Sequence, residues 1–460
     1  MIDSSEKSPS QLWEVIKTSV PAMVDLSAQT VMWMVEAIFI GHIGAAALGG
    51  VGFALQMVIL IFTVLLTFVV GSSLIISRLL GAKDSWQANH VLGQSLMLGF
   101  ILSILITFIF YYFAPAIFSL IEEAEPVARQ YGALYLKTLS YFLPFIIVNF
   151  IAVGIIRGSG DTHFSMIINI TIAALEFTLL PLMVYGQFGF PRLGVAGVAI
   201  SAGMAHTIGF FITMTLLRSR KLKLYLSFRE IFTPKWSTFK LLFKKGFPTT
   251  IEQLSWAFGL LVVTTYVARL GVIALATHQV LLRVQSFLSM LYQGFGFGTM
   301  VIIGKHVGAL NHDLAEKAGL VAWRVIILLV LILAAIIPGF SQNIIMIFTS
   351  DRNVIALGSI LMKVFAVVQI PKAMNIVFIG NLRGAGELNW LMWTTIIWVA
   401  VFEITANWAA LFVFGFGLIT VWVIHGLDEF SRFICNFLRF KGGKWKLRGN
   451  ETYAGSESVL

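Results

Sequence analysis

Two acids, Asp25 and Glu36, interrupt an apolar run near residues 17–42, and a third, Glu176, interrupts another near 162–186. A carboxylate at membrane depth costs about 3 kcal/mol or more unless it is paired, hydrated or neutralised, so each is a candidate for holding a cation or a proton. Asp25, Gln29, Met32 or Trp33, and Glu36 follow i, i+4, i+7, i+11. On a helix they form one stripe with its acids about three turns apart, and such a stripe should line a cavity. Ser165, Asn169 and Glu176 share the spacing. Counted inward from the outer ends, Glu36 and Glu176 lie at a comparable depth, roughly 12 to 15 Å at 1.5 Å per residue, which lets them share one cation. The competing reading is a protonated strut between helices. The coupling-ion candidates are therefore Glu36, Glu176, Asn169 and Gln29.

Asp25 and Glu252, two turns from one end of their spans, are open to a structural or a functional reading, since both reach toward interfacial water. With Gln29, Trp33 and Trp256 they make up the expected substrate cavity. Glu252 and Lys372 lie at similar depth, and an intramembrane ion pair is the economical way to house both. Arg157 and Arg383 are expected to anchor helix ends. His42, His206, His278 and His425 stand singly, without an HExxH or a ligand pair, so each is read as a satisfied polar residue and no metal site is expected. One cysteine, Cys435, excludes an internal disulfide.

The elements that must position these groups follow from composition. Of 460 residues 58% are apolar or aromatic and 12% charged, and the mean hydropathy is +0.89, which excludes a water-soluble globule. Apolar runs fall near 17–42, 47–79, 89–118, 131–156, 162–186 and 193–217, and again near 243–270, 273–303, 316–348, 355–382, 389–414 and 416–438. Twelve runs of helical length predict an all-α membrane protein, because irregular backbone is not tolerated in lipid. Nine Lys/Arg crowd 218–245 and more follow in the tail, whereas Glu122, Glu123 and Glu125 crowd the loop after the third span. The positive-inside rule then puts both termini in the cytoplasm. The net charge of +10 punctuates hydrophobic spans, so it argues for a membrane face and anionic lipid, not for nucleic acid.

A shift of 227 residues lays Pro21 on Pro248, Gly44 on Gly271, Gly81-Ala82 on Gly308-Ala309, and Pro144 on Pro371. One residue out of that register, Arg157-Gly158-Ser159-Gly160-Asp161 falls on Arg383-Gly384-Ala385-Gly386-Glu387. Each repeat holds six spans, an even number, so the repeats are parallel and related by a pseudo-two-fold axis along the membrane normal. The expected organisation is a first lobe at 1–217, a basic linker at 218–245, a second lobe at 246–440 and a tail at 441–460. The linker's amphipathic stretch KLKLYLSFREIF is expected on lipid headgroups.

In order and spacing, SVPAMVDLSAQTVMWMVEAIFIGHIG, the GAKD and GALN turns, IIRGSGD and NLRGAGE, LGVAGVAIS and KKGFPTTIEQLS resemble the multidrug and toxic compound extrusion (MATE) antiporters over nearly the whole chain. The resemblance implies a six-plus-six bundle that expels amphipathic, often cationic compounds in exchange for sodium or protons, as a multi-pass plasma-membrane monomer without a cofactor. It puts Glu36 where relatives carry Asp, Glu176 where many carry Asn, and Leu180 where they carry a second acid, a rebuilt site that leans toward protons. Lys372 and Trp256 stand where one branch has its second-lobe acids, which leaves that lobe without the family's cation ligands.

Two other classes compete. A lipid-linked sugar flippase of the same wider superfamily would want a cationic cavity, whereas the spans offer three acids in the first lobe against one Lys in the second. A membrane-embedded enzyme would need a base facing Ser159 of the GSG turn, and none is evident. No GxxxxGK[ST] motif supports ATP-driven transport.

Overall fold

The computed structural model describes residues 10–119, 125–227, 230–231 and 233–446. Glu122, Glu123 and the tail beyond Lys446 lie outside the described residues. The first repeat comprises α1 (Gln11–Ile43), α2 (Ala45–Gly81), α3 (Ser85–Ser119), α4 (Pro126–Ser140), α5 (Leu143–Gly158), α6 (Thr162–Tyr185) and α7 (Val195–Arg218). The second comprises α8 (Trp236–Ala268), α9 (Val272–Gly308), α10 (His312–Gly339), the short α11 (Ser341–Met346), α12 (Arg352–Gly384), α13 (Leu388–Val413) and α14 (Leu418–Lys441).

Among the described residues ten of these helices are long and apolar enough to cross a membrane, and α4 with α5 forms an eleventh span bent by 67°. The twelfth, α14, has 24 residues but carries Asp428, Glu429 and Arg432, so polarity and not length sets it apart. The all-helical fold of twelve spans follows. Helix lengths repeat with the sequence: α1 and α8 have 33 residues, α2 and α9 have 37, and α7 and α14 have 24. Equivalent prolines do not act alike. Pro144 opens α5 beside the break, where its missing N–H costs nothing, whereas Pro371 lies inside the continuous α12.

Contacts divide the chain into two units. One is Val24–Gly246, and the other runs from Phe247 onward and includes the start of α1 as far as Met23. The boundaries fall inside α1 and α8, beside Pro21 and Pro248, and the linker belongs to the unit Val24–Gly246. In the first unit α2 packs on α3, α4 and α5, with α7 against α4, α5 and α6. In the second, α12 is the hub, packed on α9, α10 and α14. Gly380 meets the carbonyl of Gly296 there, an approach that any side chain would block.

The two glycine-rich turns owe their composition to the backbone. Gly160 and Gly386 take φ of +89° and +82°, a region costly for residues with a Cβ. The described part of the linker is tied to the first unit by hydrogen bonds. The Tyr225 N–H donates to Asn89 Oδ1 at 2.7 Å, the Lys223 N–H to Asp161 Oδ2 at 2.8 Å, and Gln94 Nε2 to the Glu230 carbonyl at 2.7 Å. His90 Nδ1 lies 2.6 Å from Glu230 Oε2. These bonds satisfy backbone and side-chain polar groups of the segment against the first unit.

Candidate cation-binding site

In the first unit α1 and α6 present their stripes to a common cavity of about 130 Å³, large enough for several waters. Its walls include Gln29, Trp33, Glu36, Tyr135, Asn169, Glu176 and His206. Glu36 and Glu176 are each 4% exposed, and their carboxyls face each other at hydrogen-bonding range. Tyr135, 2% exposed, borders both. No Lys or Arg lines this space, and the basic group present, His206, leaves Nδ1 without a partner. Two carboxylates this close cannot both stay charged in a low dielectric, so the geometry calls for a cation or a proton between them.

The stripe's other acid is tied off. Asp25 is fully buried and accepts hydrogen bonds from Arg157 Nε at 2.8 Å, Ser165 Oγ at 2.9 Å and Asn169 Nδ2. It does not line the first unit's cavity. The reason is Arg157 at the end of α5, whose guanidinium neutralises the carboxylate while two neutral donors fill its remaining lone pairs. Asn169 spans both environments, bonding Asp25 and lining the cavity.

The second unit repeats this pair and departs elsewhere. Glu252 Oε1 accepts from Arg383 Nη2 at 2.9 Å, so the expected Glu252–Lys372 ion pair does not form. Lys372 Nζ instead donates to Glu429 Oε1 at 2.9 Å, and Asn375 Nδ2 donates to Glu429 Oε2 at 2.8 Å. The azimuth around α12 turns Lys372 toward α14. Glu252 is also missing from the second unit's cavity, a space of about 20 Å³ with Trp256, His278, Gln285, Glu403, Trp422 and His425 on its walls. Trp256 is thus a lining residue, with Lys372 Nζ 5.8 Å from its ring centroid.

Sequence reasoning passed over three buried acids that matter here, Glu403, Asp428 and Glu429, and gave His425 and Arg432 no part in the site. Glu403, on a stretch of α13 that widens to π-helix, lies 2.6 Å from His425 Nδ1, and Arg432 bonds Asp428 and reaches Glu429 Oε1 at 3.4 Å. The expectation of one Lys as the second lobe's in-span charge is therefore corrected. So is the reading of every His as satisfied, because His278 has no partner on either ring nitrogen. A signal existed. His425, Glu429, Arg432 and Asn436 follow the same i, i+4, i+7, i+11 spacing as the stripe on α1.

Likeness to known proteins agrees with this architecture. The MatE family model matches twice, at residues 21–182 and 248–409, the same 227-residue offset as the internal repeat. The chain is 25% identical over 433 residues to "Uncharacterized transporter YisQ" of Bacillus subtilis, covering 93% of this chain and 94% of that one. It is 26% identical over 445 residues to "Probable multidrug resistance protein NorM" of Thermotoga maritima, covering 96% and 95%. A solved structure described as "Outward-facing conformation of a multidrug resistance MATE family transporter of the MOP superfamily" superposes with a TM-score of 0.86 at 22% identity, covering 97% of this chain and 99% of that one. With the family model on both repeats and a twelve-span helical fold to match, this chain belongs to the MatE family and is a MATE transporter of the membrane.

Proposed function

We propose that the chain is a secondary antiporter that exports amphipathic or cationic small molecules by alternating access, driven by protons or sodium ions. The observation that carries this reading is the Glu36–Glu176 pair in a cavity without Lys or Arg. Export against a gradient needs a group whose occupancy by a cation changes which state is favoured, and that coupling is reciprocal. A proton or Na⁺ between the carboxylates removes their repulsion, while a cationic substrate in the same lobe competes for it. Trp33 and Tyr135 offer aromatic faces to such a substrate. Relatives described as multidrug resistance proteins support this substrate class. An acidic cavity disfavours the flippase alternative, since pyrophosphate would be repelled.

The nine Lys/Arg of 218–245 support a plasma-membrane protein with both termini in the cytoplasm. Monomeric function without a cofactor completes the reading. Uptake of a fluorescent organic cation into proteoliposomes, driven separately by a pH gradient and by a sodium gradient, tests it. A pH gradient is expected to suffice. Accumulation under neither gradient overturns the antiport reading. Orientation is tested in a Cys435→Ser background with cysteine at Glu125 or at Lys221. An impermeant thiol reagent should label the first in intact cells and the second only after permeabilisation, and the reverse pattern overturns the assignment.

A further inference from the structure

The buried ionic cluster of the second unit does not balance, and we propose that it binds one proton of its own, held at His425 between Glu403 and Lys372. This site shares no residue with the Glu36–Glu176 pair. Three carboxylates, Glu403, Asp428 and Glu429, face two permanent cations, Lys372 and Arg432, and all five are at most 7% exposed. One negative charge is left over in a low-dielectric interior, where an uncompensated charge is costly. Its place follows from the partners. Arg432 holds Asp428, Lys372 holds Glu429 at 2.9 Å, and Glu403 is left with His425 Nδ1 at 2.6 Å and Asn407 Nδ2 at 3.4 Å. His425 Nε2 in turn lies 3.5 Å from Lys372 Nζ.

The cavity beside this pair supplies an independent observation. Its wall holds Glu403 and His425 together with three buried side chains that lack partners: His278 at both ring nitrogens, Gln285 at Oε1 and Trp422 at Nε1. About 20 Å³ is room for one water, which these donors and acceptors can hold against the pair. The titratable and charged groups around His425 are His278 from α9, Lys372 from α12, Glu403 from α13, and Asp428, Glu429 and Arg432 from α14, whereas α8 contributes only the uncharged Trp256. In neutral His425, Nδ1–H donates to Glu403 and Nε2 accepts from Lys372. A proton delivered through the cavity water to Nε2 makes the ring cationic, cancels the leftover charge and releases Lys372 to Glu429 alone. No bond other than N–H forms, and the proton comes from solvent.

Nitrogen NMR of ¹⁵N-histidine-labelled full-length protein in lipid nanodiscs tests the proposal, with Glu36→Gln/Glu176→Gln as background so that failure of the antiport reading cannot mimic failure here. The His425 resonances, identified by their loss in His425→Gln, should pass from the neutral to the cationic form in one step as the pH is lowered. Lys372→Met should raise the proton affinity of His425 at least about threefold, and Glu403→Gln should lower it by a similar factor. Should either variant fail to fold, the titration in the background protein decides alone. A His425 that keeps one form over the whole range in which the protein stays folded, or an affinity that falls in Lys372→Met, overturns the proposal. So does a shift of the His425 resonances on adding Zn²⁺ or Na⁺ at fixed pH, which would assign the cluster to a metal cation.

Discussion

The ionic cores of the two repeats share one pair and differ in everything around it. Asp25–Arg157 and Glu252–Arg383 join the first helix of each repeat to the glycine-rich turn more than 100 residues later, at N···O distances of 2.8 and 2.9 Å. Beyond that pair, the first unit keeps two acids against no permanent cation, while the second surrounds three acids with Lys372 and Arg432. Duplication thus preserved the interaction that fixes helix position and let the charge balance diverge. A pair whose loss strands a buried charge is hard to change, whereas a cavity wall tolerates new chemistry.

This contrast breaks most visibly in transport. Glu36→Gln/Glu176→Gln should lower gradient-driven accumulation to the level of empty vesicles, with substrate binding retained. If the double variant still concentrates substrate, the coupling ion is bound elsewhere and the first unit's unbalanced acids are struts.

Stability follows. Arg432→Met strands Asp428 and takes one of two cations from Glu429, which keeps Lys372, and should cost about 5 kcal/mol, whereas Arg157→Met or Arg383→Met, each stranding one acid, should cost about 3 kcal/mol. Thermal unfolding in detergent would rank them, and equal losses would deny that the second unit is the more densely coupled. The same measurement resolves the pairing. Glu252→Gln with Arg383→Met should lose less than the sum of the single changes, whereas Glu252→Gln with Lys372→Met should be additive within about 0.5 kcal/mol. Additivity in the first combination would overturn the repeated pair.

A smaller effect, about 1 to 2 kcal/mol, is expected for Gly160→Ala and for Gly386→Ala, because both glycines hold a positive φ. Matched losses would show that the turns stayed equivalent while the sites diverged. Smallest is Glu230→Gln in the linker, expected to cost about 1 kcal/mol or less, since its partner His90 keeps Thr238 Oγ1 at 3.3 Å. A larger loss would make the linker part of the first unit's core.

Much of the site was legible because its signal is local. The stripe Asp25, Gln29, Trp33, Glu36 depends on helical periodicity alone, and the structure lays Gln29, Trp33 and Glu36 on one cavity wall. What failed was scope. The same spacing at His425, Glu429, Arg432 and Asn436 was passed over because the residues flanking it are apolar enough to read as plain span. For Asp25 the stripe gives the face of the residue and not the partner opposite, Arg157.

By itself the sequence determined the twelve helical runs, the duplication at 227 residues, the glycine turns and the place of each ionisable group along its helix, since all of these depend on composition, periodicity or the rise of 1.5 Å per residue. Only the tertiary structure decided which groups meet. Depth leaves each helix free to rotate about its axis, and one residue along the chain turns a side chain by about 100°. Packing of α12 on α14 aimed Lys372 at Glu429 instead of Glu252, and packing of α5 against α6 placed Arg157 where it closes over Asp25 of α1, while Glu36 and Glu176 are left to face each other across the cavity.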